Sequence, residues 1–398
     1  MQIDYNYAKK HTFSCARYQQ ESHGPLLSRL QRIVAQALAQ RTERDYKCTL
    51  EELEEIAKYL KRIDPSNNHE GRSPLDKPTT FSSTEILNAG QYDSDFDVLR
   101  YLVYRYKFKN YPRERKLNSF PIVLAVEPTS ICNLRCVMCF QADETFTRDK
   151  KQMGLMDFNL YQRIIDEAAE AHCASVVLAS RGEPLLHPRF TEMVAYTKKK
   201  GILDIKINTN ATKLTAERAR KLLEIEPNVL IFSVDSSHKE EFEAIRIGAD
   251  FNQIVSNIRQ FNQIRANEFP HSRVRTRISM VLINPQQDTE KAHAFWSDLV
   301  DEFAVKGGMQ RLDIYNLDLV ESTDPCSLFW ERLYVWWDGQ INPCDSDYKS
   351  LLSPGRISGE TTIASIWQGE VMNSYRQKHL EGLKNSLYPC SKCDGYCL

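Results

Sequence analysis

A chain of 398 residues, 42% apolar and 26% charged, has a globular composition and the length for more than one hydrophobic core. Its 52 basic and 53 acidic side chains leave a formal net charge of −1, which argues against a nucleic-acid or anionic-membrane protein held by bulk charge. No apolar run reaches the roughly 18 residues of a membrane span, and the opening MQIDYNYAKKHTFSC lacks a secretory apolar core, so the expectation is a cytoplasmic protein.

Residues 1–117 read as a helical extension. Leu26, Leu27, Leu30, Ile33, Val34, Ala37 and Leu38 keep helical spacing behind Pro25. A second helix opens at Thr49 with Glu52 three residues on, a capping box, and turns Leu53, Ile56 and Leu60 inward. Residues 64–80 are polar and rich in turn formers, as a linker is. The run RYLVYRYKFKNYPRERK (100–116) interleaves basic residues with Tyr101, Tyr104, Tyr106, Phe108 and Tyr111. That pattern suits stacking on single-stranded nucleic acid. The near-neutral chain favours instead a helix packing its rings on the next domain, with its charges in water.

Residues 118–320 alternate strand and helix patterns. Strands are predicted at 122–128, 175–180, 204–209, 229–235, 275–283 and 311–317, with helices at roughly 158–173, 190–200, 215–225, 239–266 and 287–304 between them. Such alternation predicts a parallel sheet with crossover helices. The fold class is α/β, a partial (β/α)6 TIM barrel with its active groups at the carboxyl ends of the strands. Residues 321–398 read as a small α+β domain. LYVWWDGQINPC (333–344) predicts two short strands around a two-residue turn at Asp338-Gly339, and a helix follows near 364–380.

Eleven cysteines are many for a reduced compartment, and the odd number argues against a complete disulfide framework. Cys132, Cys136 and Cys139 form C-x3-C-x2-C directly after the first strand. Three thiolates hold three irons of a [4Fe–4S] cube and leave the fourth open. Zinc is the competing occupant, but it prefers four ligands and no His or Cys follows closely to complete the set. Cys173 reads as a buried apolar residue at a helix end. His187, before a proline, reads as packing or hydrogen bonding rather than as a base.

The triad resembles the radical S-adenosylmethionine (SAM) superfamily, and the resemblance extends over about residues 118–398. It implies a cluster whose open iron binds the amino and carboxylate groups of SAM, reductive cleavage to a 5′-deoxyadenosyl radical, and hydrogen abstraction from substrate. Met138 matches the position against the adenine. Ser180-Arg181-Gly182-Glu183-Pro184 resembles the family's G-G-E-P motif, with Arg181 in place of the first glycine, and Gly182 and Glu183 are implied to hold the SAM amino group. Asn210, Ser233 and Asp235 match strand-end polar groups for ribose and methionine, and Arg246 is matched to the SAM carboxylate.

The tail is similar to SPASM and Twitch extensions, whose opening is C-x(9–15)-G-x4-C: Cys326, then Gly339, then Cys344, with a C-x2-C pair at Cys390 and Cys393. Those four cysteines imply one auxiliary [4Fe–4S] cluster, with zinc the competing occupant and Cys397 a spare or alternative ligand. Five tail cysteines stand nearer the shortened Twitch arrangement than a seven-cysteine SPASM domain. The resemblance implies an oxidoreductase fed by a flavodoxin- or ferredoxin-type donor. It would act on a small molecule, a sugar or cyclitol by analogy with Twitch-bearing alcohol dehydrogenases. The alternatives are a peptide maturase forming a crosslink, thioether or epimer, and a non-catalytic iron–sulfur or zinc protein.

Overall fold

The computed structural model describes residues 11–14, 23–63, 80–307 and 313–393. The chain divides into two compact units, Ala16–Leu117 and a larger one of Met1–Cys15 with Asn118–Leu398.

The smaller unit holds α1 (His23–Gln40), α2 (Leu50–Lys61), α3 (Ser83–Gly90) and α4 (Asp95–Glu114). The predicted capping box opens α2, with the Glu52 amide donating to Thr49 Oγ1 at 3.2 Å. Ser82 and Glu85 repeat the device at α3. Leu30, Ile33 and Val34 of α1 and Leu53, Ile56 and Leu60 of α2 are buried, as their spacing requires. Tyr101, Tyr104, Tyr106 and Tyr111 are buried too. Tyr106 meets Tyr59 edge-on at 5.5 Å, so the aromatic run packs inside its own helical unit. Burial pushes the Glu85 carboxyl up, but Lys109 and Arg105 outweigh it and hold the group at about 2. The linker predicted at 64–80 lies outside the described residues except for Thr80.

The larger unit is built on one open sheet, not a closed barrel. Its parallel strands are β2 (Val123–Val126), β3 (Ser175–Leu178), β4 (Asp204–Thr209), β5 (Val229–Ser233), β6 (Arg275–Leu282) and β7 (Glu302–Gly307), side by side in chain order. Between them run α5 (Glu144–Thr147), α6 (Phe158–Glu170), α7 (Phe190–Lys199), α8 (Ala216–Ile225), α9 (Lys239–Ile245), α10 (Phe251–Glu268) and α11 (Thr289–Trp296). Five strands stand where the sequence predicts them. The sixth does not: it lies at Glu302–Gly307, inside the helix expected over 287–304, while 311–317 contributes only a 3-10 turn at Ile314–Asn316 among its described residues. The buried Glu302 opens the strand, and Arg275 and Arg277 from β6 compensate it at 2.5 Å each. The single long helix expected over 239–266 is broken into α9 and α10 around Gly248, whose φ of +91° no helix accepts.

The sheet also extends beyond the six strands. The N-terminal segment, expected to be helical, supplies β1 (His11–Ser14), antiparallel to β7. From the tail, β8 (Arg332–Val335) pairs parallel with β2, and β9 (Gln340–Asn342) and β10 (Gly355–Arg356) follow antiparallel. The hairpin between β8 and β9 turns through Trp337-Asp338-Gly339, one residue more than predicted, with Gly339 at φ +84°. The helix expected near 364–380 is two, α12 (Ile363–Trp367) and α13 (Glu370–Leu380). No helix among the described residues is long and apolar enough to cross a membrane.

Candidate functional site

The loop leaving β2 carries Cys132, Cys136 and Cys139 at the carboxyl edge of the sheet, the side to which every parallel strand delivers its last residue. Backbone bonds fix it: the amides of Arg135 and Val137 donate to Ile247 and Ile245 at 2.9 and 3.0 Å, and the Cys139 amide to the Cys136 carbonyl at 3.0 Å. Met138 is half-buried within this loop.

The structure brings Gly182 and Glu183 to the same place. The Glu183 amide donates to the Ile131 carbonyl at 2.9 Å. A Cβ on Gly182 would lie 2.2 Å from the Thr129 carbonyl oxygen and 2.6 Å from that of Ile131, so only glycine lets the two loops touch. The Glu183 carboxylate accepts from Thr209 Oγ1 at 2.7 Å and from the Asn210 and Leu185 amides at 2.7 and 3.0 Å. Burial raises its pKa against those bonds. Asn210 is buried, with its amide group on Asn133 at 3.1 Å, directly beside Cys132.

Asp235 and Arg246 meet each other. The guanidinium lies 2.8 Å from Asp235 Oδ2, both groups are buried, and Nη1 points at Cys136 Sγ from 3.8 Å. The sequence matches Arg246 to a ligand carboxylate; in the fold its charge is already matched, by Asp235 and the cysteine sulfur. Burial opposes that charge, but Asp235 and Cys136 outweigh it and hold its pKa above the ordinary arginine value. Ser233 is half-buried at the end of β5, in register with Ser279 of β6. His187 donates from Nε2 to the Met156 carbonyl at 3.0 Å while Nδ1 accepts the Arg189 amide at 3.1 Å, which makes it a neutral packing histidine. Cys173 is buried, donating to the Ser175 carbonyl.

The cysteines fit a cluster. Among the described residues nine are free thiols, including all three of the loop and Cys326, Cys344, Cys390 and Cys393. Burial pushes Cys132 up to about 12, with Glu183 and Cys136 adding to it. Cys326 is raised well above the ordinary thiol value by burial and then by Cys344, Cys393 and Cys390, and Cys344 by burial, then by Asp345 and by Cys393 and Cys390. Sulfurs gathered this way become thiolates only against a cationic group that displaces their protons. Among the described residues no three His, Cys, Asp or Glu side chains converge tightly enough to grip one metal ion; a four-iron cube spreads its sulfurs wider than that. Cys397 lies outside the described residues.

Sequence reasoning missed the residues that join the two cysteine sets. Arg181 forks onto Glu127 at 2.7 and 2.8 Å. Phe140, Phe146, Ile314, Tyr315 and Tyr348 form a buried cluster against which both Cys139 and Cys393 pack. The signal was present in part: Glu127 directly follows the apolar strand β2, and Asp347-Tyr348 follows Cys344 by three residues.

Residues 126–293 match the family model of the radical SAM superfamily, and residues 326–394 match SPASM, an iron–sulfur cluster-binding domain. Over 113 residues the chain is 38% identical to a tungsten-containing aldehyde ferredoxin oxidoreductase cofactor-modifying protein of Pyrococcus furiosus, covering 28% of this chain and 30% of the relative. It is 31% identical to mycofactocin maturase MftC of Mycobacterium tuberculosis over 36% of this chain and 34% of the other. The match thus spans about a third of each of these relatives. Native anSMEcpe with bound AdoMet shares the fold at 16% identity and a TM-score of 0.50, over 69% of this chain and 89% of that one.

Proposed function

Because this chain is a member of the radical SAM superfamily that ends in an iron–sulfur cluster-binding SPASM domain, we propose that it is a cytoplasmic enzyme that abstracts hydrogen from a polar small molecule, of sugar or cyclitol type, and oxidises it by two electrons. The observation that carries the reading is the meeting of the Cys132–Cys139 loop with Gly182 and Glu183 on one side and Arg246 on the other. Cys132, Cys136 and Cys139 would hold the first [4Fe–4S] cluster, and Cys326, Cys344, Cys390 and Cys393 an auxiliary one. Bound there, the first cluster supplies the electron that cleaves the sulfonium of SAM.

The chain's own residues set the surroundings. Arg246, pinned by Asp235, puts a permanent positive charge beside Cys136 and favours its thiolate. Glu183 ties the loop after β3 to the end of β4. On β4 and β6 the half-buried positions include the polar Lys206, Asn208, Arg277 and Ser279. Asn208 Oδ1 on β4 and Ser180 Oγ in the loop after β3 are buried without a hydrogen-bond partner, which favours a ligand rich in hydroxyl or amine donors.

A small substrate is further supported by the smaller unit, whose described elements are all helical, and by the sheet's two edge strands, β1 with four residues and β10 with two among the described residues. Peptide capture by strand addition needs a longer free edge. The likeness to mycofactocin maturase favours the second reading, a peptide maturase. Anaerobically reconstituted protein with SAM and dithionite, or a flavodoxin- or ferredoxin-type donor, is expected to form 5′-deoxyadenosine. No 5′-deoxyadenosine from protein loaded with iron refutes the reading. Stimulation by cysteine- or serine-containing peptides and not by polyols selects the maturase.

A further inference from the structure

Arg181 stands where the resembling motif has glycine, yet it is buried to 2% exposure and its charge is fully engaged. Nε and Nη2 fork onto Glu127, itself 0% exposed, and the Arg181 amide donates to the same carboxylate at 3.0 Å. Nη1 donates to the Tyr348 carbonyl at 2.9 Å and to Gln152 Oε1 at 3.1 Å. The guanidinium lies 4.3 Å from the Trp336 ring, and the Trp337 amide donates to Glu127 Oε1 at 3.3 Å. One side chain therefore ties the strand before the cysteine loop and the Gly182-Glu183 loop to the C-terminal segment 336–349, which contains Cys344.

The same segment also holds the cysteine loop directly. Tyr348 stacks on Phe140 at 5.0 Å and donates to Asp143 at 2.7 Å, and Lys349 pairs with Asp143 at 2.7 Å. Gln141, two residues after Cys139, closes the ring by donating to the carbonyls of Ser130 and Arg181 at 2.8 and 2.5 Å. Ser180, just before Arg181, sits at φ +142°, a conformation that persists only where its neighbours impose it. A buried ion pair adds little net stability over apolar groups of the same volume, whereas its bidentate geometry fixes an angle. The arrangement is therefore better explained by position than by stability.

We propose that Arg181 is a positioning residue through which the C-terminal domain sets the SAM-binding loop, so that SAM affinity at the carboxyl edge of the sheet depends on segment 336–349. The inference rests on the reading of Gly182-Glu183 as part of the SAM site. A reconstituted parent that binds no SAM would refute that site reading before any variant is made.

The test uses full-length, anaerobically reconstituted protein, with iron per chain, SAM affinity by calorimetry and the SAM-induced change in the electron paramagnetic resonance spectrum as readouts. Arg181→Gly, and Arg181→Met/Glu127→Gln, which leaves no unpaired charge, are expected to keep their iron. Both should bind SAM at least tenfold more weakly, with the spectral change diminished. Trp336→Phe, on the C-terminal side, should weaken SAM binding by itself and add nothing to Arg181→Gly, because both act through one contact. SAM affinity within twofold of the parent in the double variant overturns the proposal. So does loss of iron along with SAM binding in that variant, since the pair would then hold the fold and not the loop. Full additivity of Trp336→Phe with Arg181→Gly overturns it as well.

Discussion

Adding one methyl group at Gly182 tests whether the cysteine loop and the Gly-Glu-Pro loop form one site. The new Cβ would fall 2.2 Å from Thr129 O, 2.6 Å from Ile131 O and 2.7 Å from the Ser130 carbonyl carbon. Favourable heavy-atom contacts lie near 3.5–4.0 Å, so one loop must retreat by about 1 Å. All three obstacles are backbone, and no side chain can swing aside. Overpacking of this kind costs typically 1–3 kcal/mol, and rigid backbone on both sides puts Gly182→Ala at the upper end, about 3 kcal/mol. At roughly 1–2 °C per kcal/mol for a unit of this size, the thermal midpoint should fall by about 3–6 °C. Ile131 is bonded to Cys132, so the displacement reaches the cysteine loop. After anaerobic reconstitution, iron should drop from about eight per chain toward about four, the tail set being untouched. Colorimetric iron assay and SAM calorimetry read the outcome. Parent-like iron, SAM affinity and melting together would refute the contact between the loops.

Replacing Cys132, Cys136 and Cys139 together by Ala should leave about four irons and abolish 5′-deoxyadenosine formation; full iron in that variant, by the same colorimetric assay, sinks the loop as a cluster site. Cys326→Ala/Cys344→Ala should keep 5′-deoxyadenosine, quantified by liquid chromatography, but lose oxidised product, and normal product from protein shown to lack the second cluster rules out an electron-accepting tail. Glu85 is held down to about 2 in the folded state, against about 4.3 when unfolded. Its contribution, on the order of 3 kcal/mol, is therefore complete above the unfolded value and vanishes as pH falls through the folded one. Urea unfolding by circular dichroism should show the parent more stable than Glu85→Gln at pH 6, with the gap shrinking at pH 3; a pH-independent gap contradicts the ion-pair account.

Local chemistry was legible in the amino-acid order. Five of six parallel strands, the capping box at Thr49 and the helices at 158–173, 190–200 and 215–225 depend on periodicity and caps, which act over a turn or two. The three-cysteine spacing and the glycine before Glu183 are likewise local, because a cluster loop and a close backbone approach each need particular residues at particular offsets. The sixth strand was not legible. Glu302 looks like a helix-end charge until Arg275 and Arg277 arrive from the neighbouring strand to compensate it.

The site divides the same way. Which residues carry sulfur, carboxylate and guanidinium is a property of the sequence. Which of them meet was decided by the tertiary fold: Arg246 by Asp235, Glu183 by Thr209 and Asn210, and Arg181 by Glu127, 54 residues away. A buried charge takes whichever opposite charge the packing brings within reach, because leaving it unpaired away from water is far costlier than any local preference. Motif spacing thus determined the kind of chemistry, while the pairing of buried charges, set only when β8 docked beside β2, determined how the tail is joined to it.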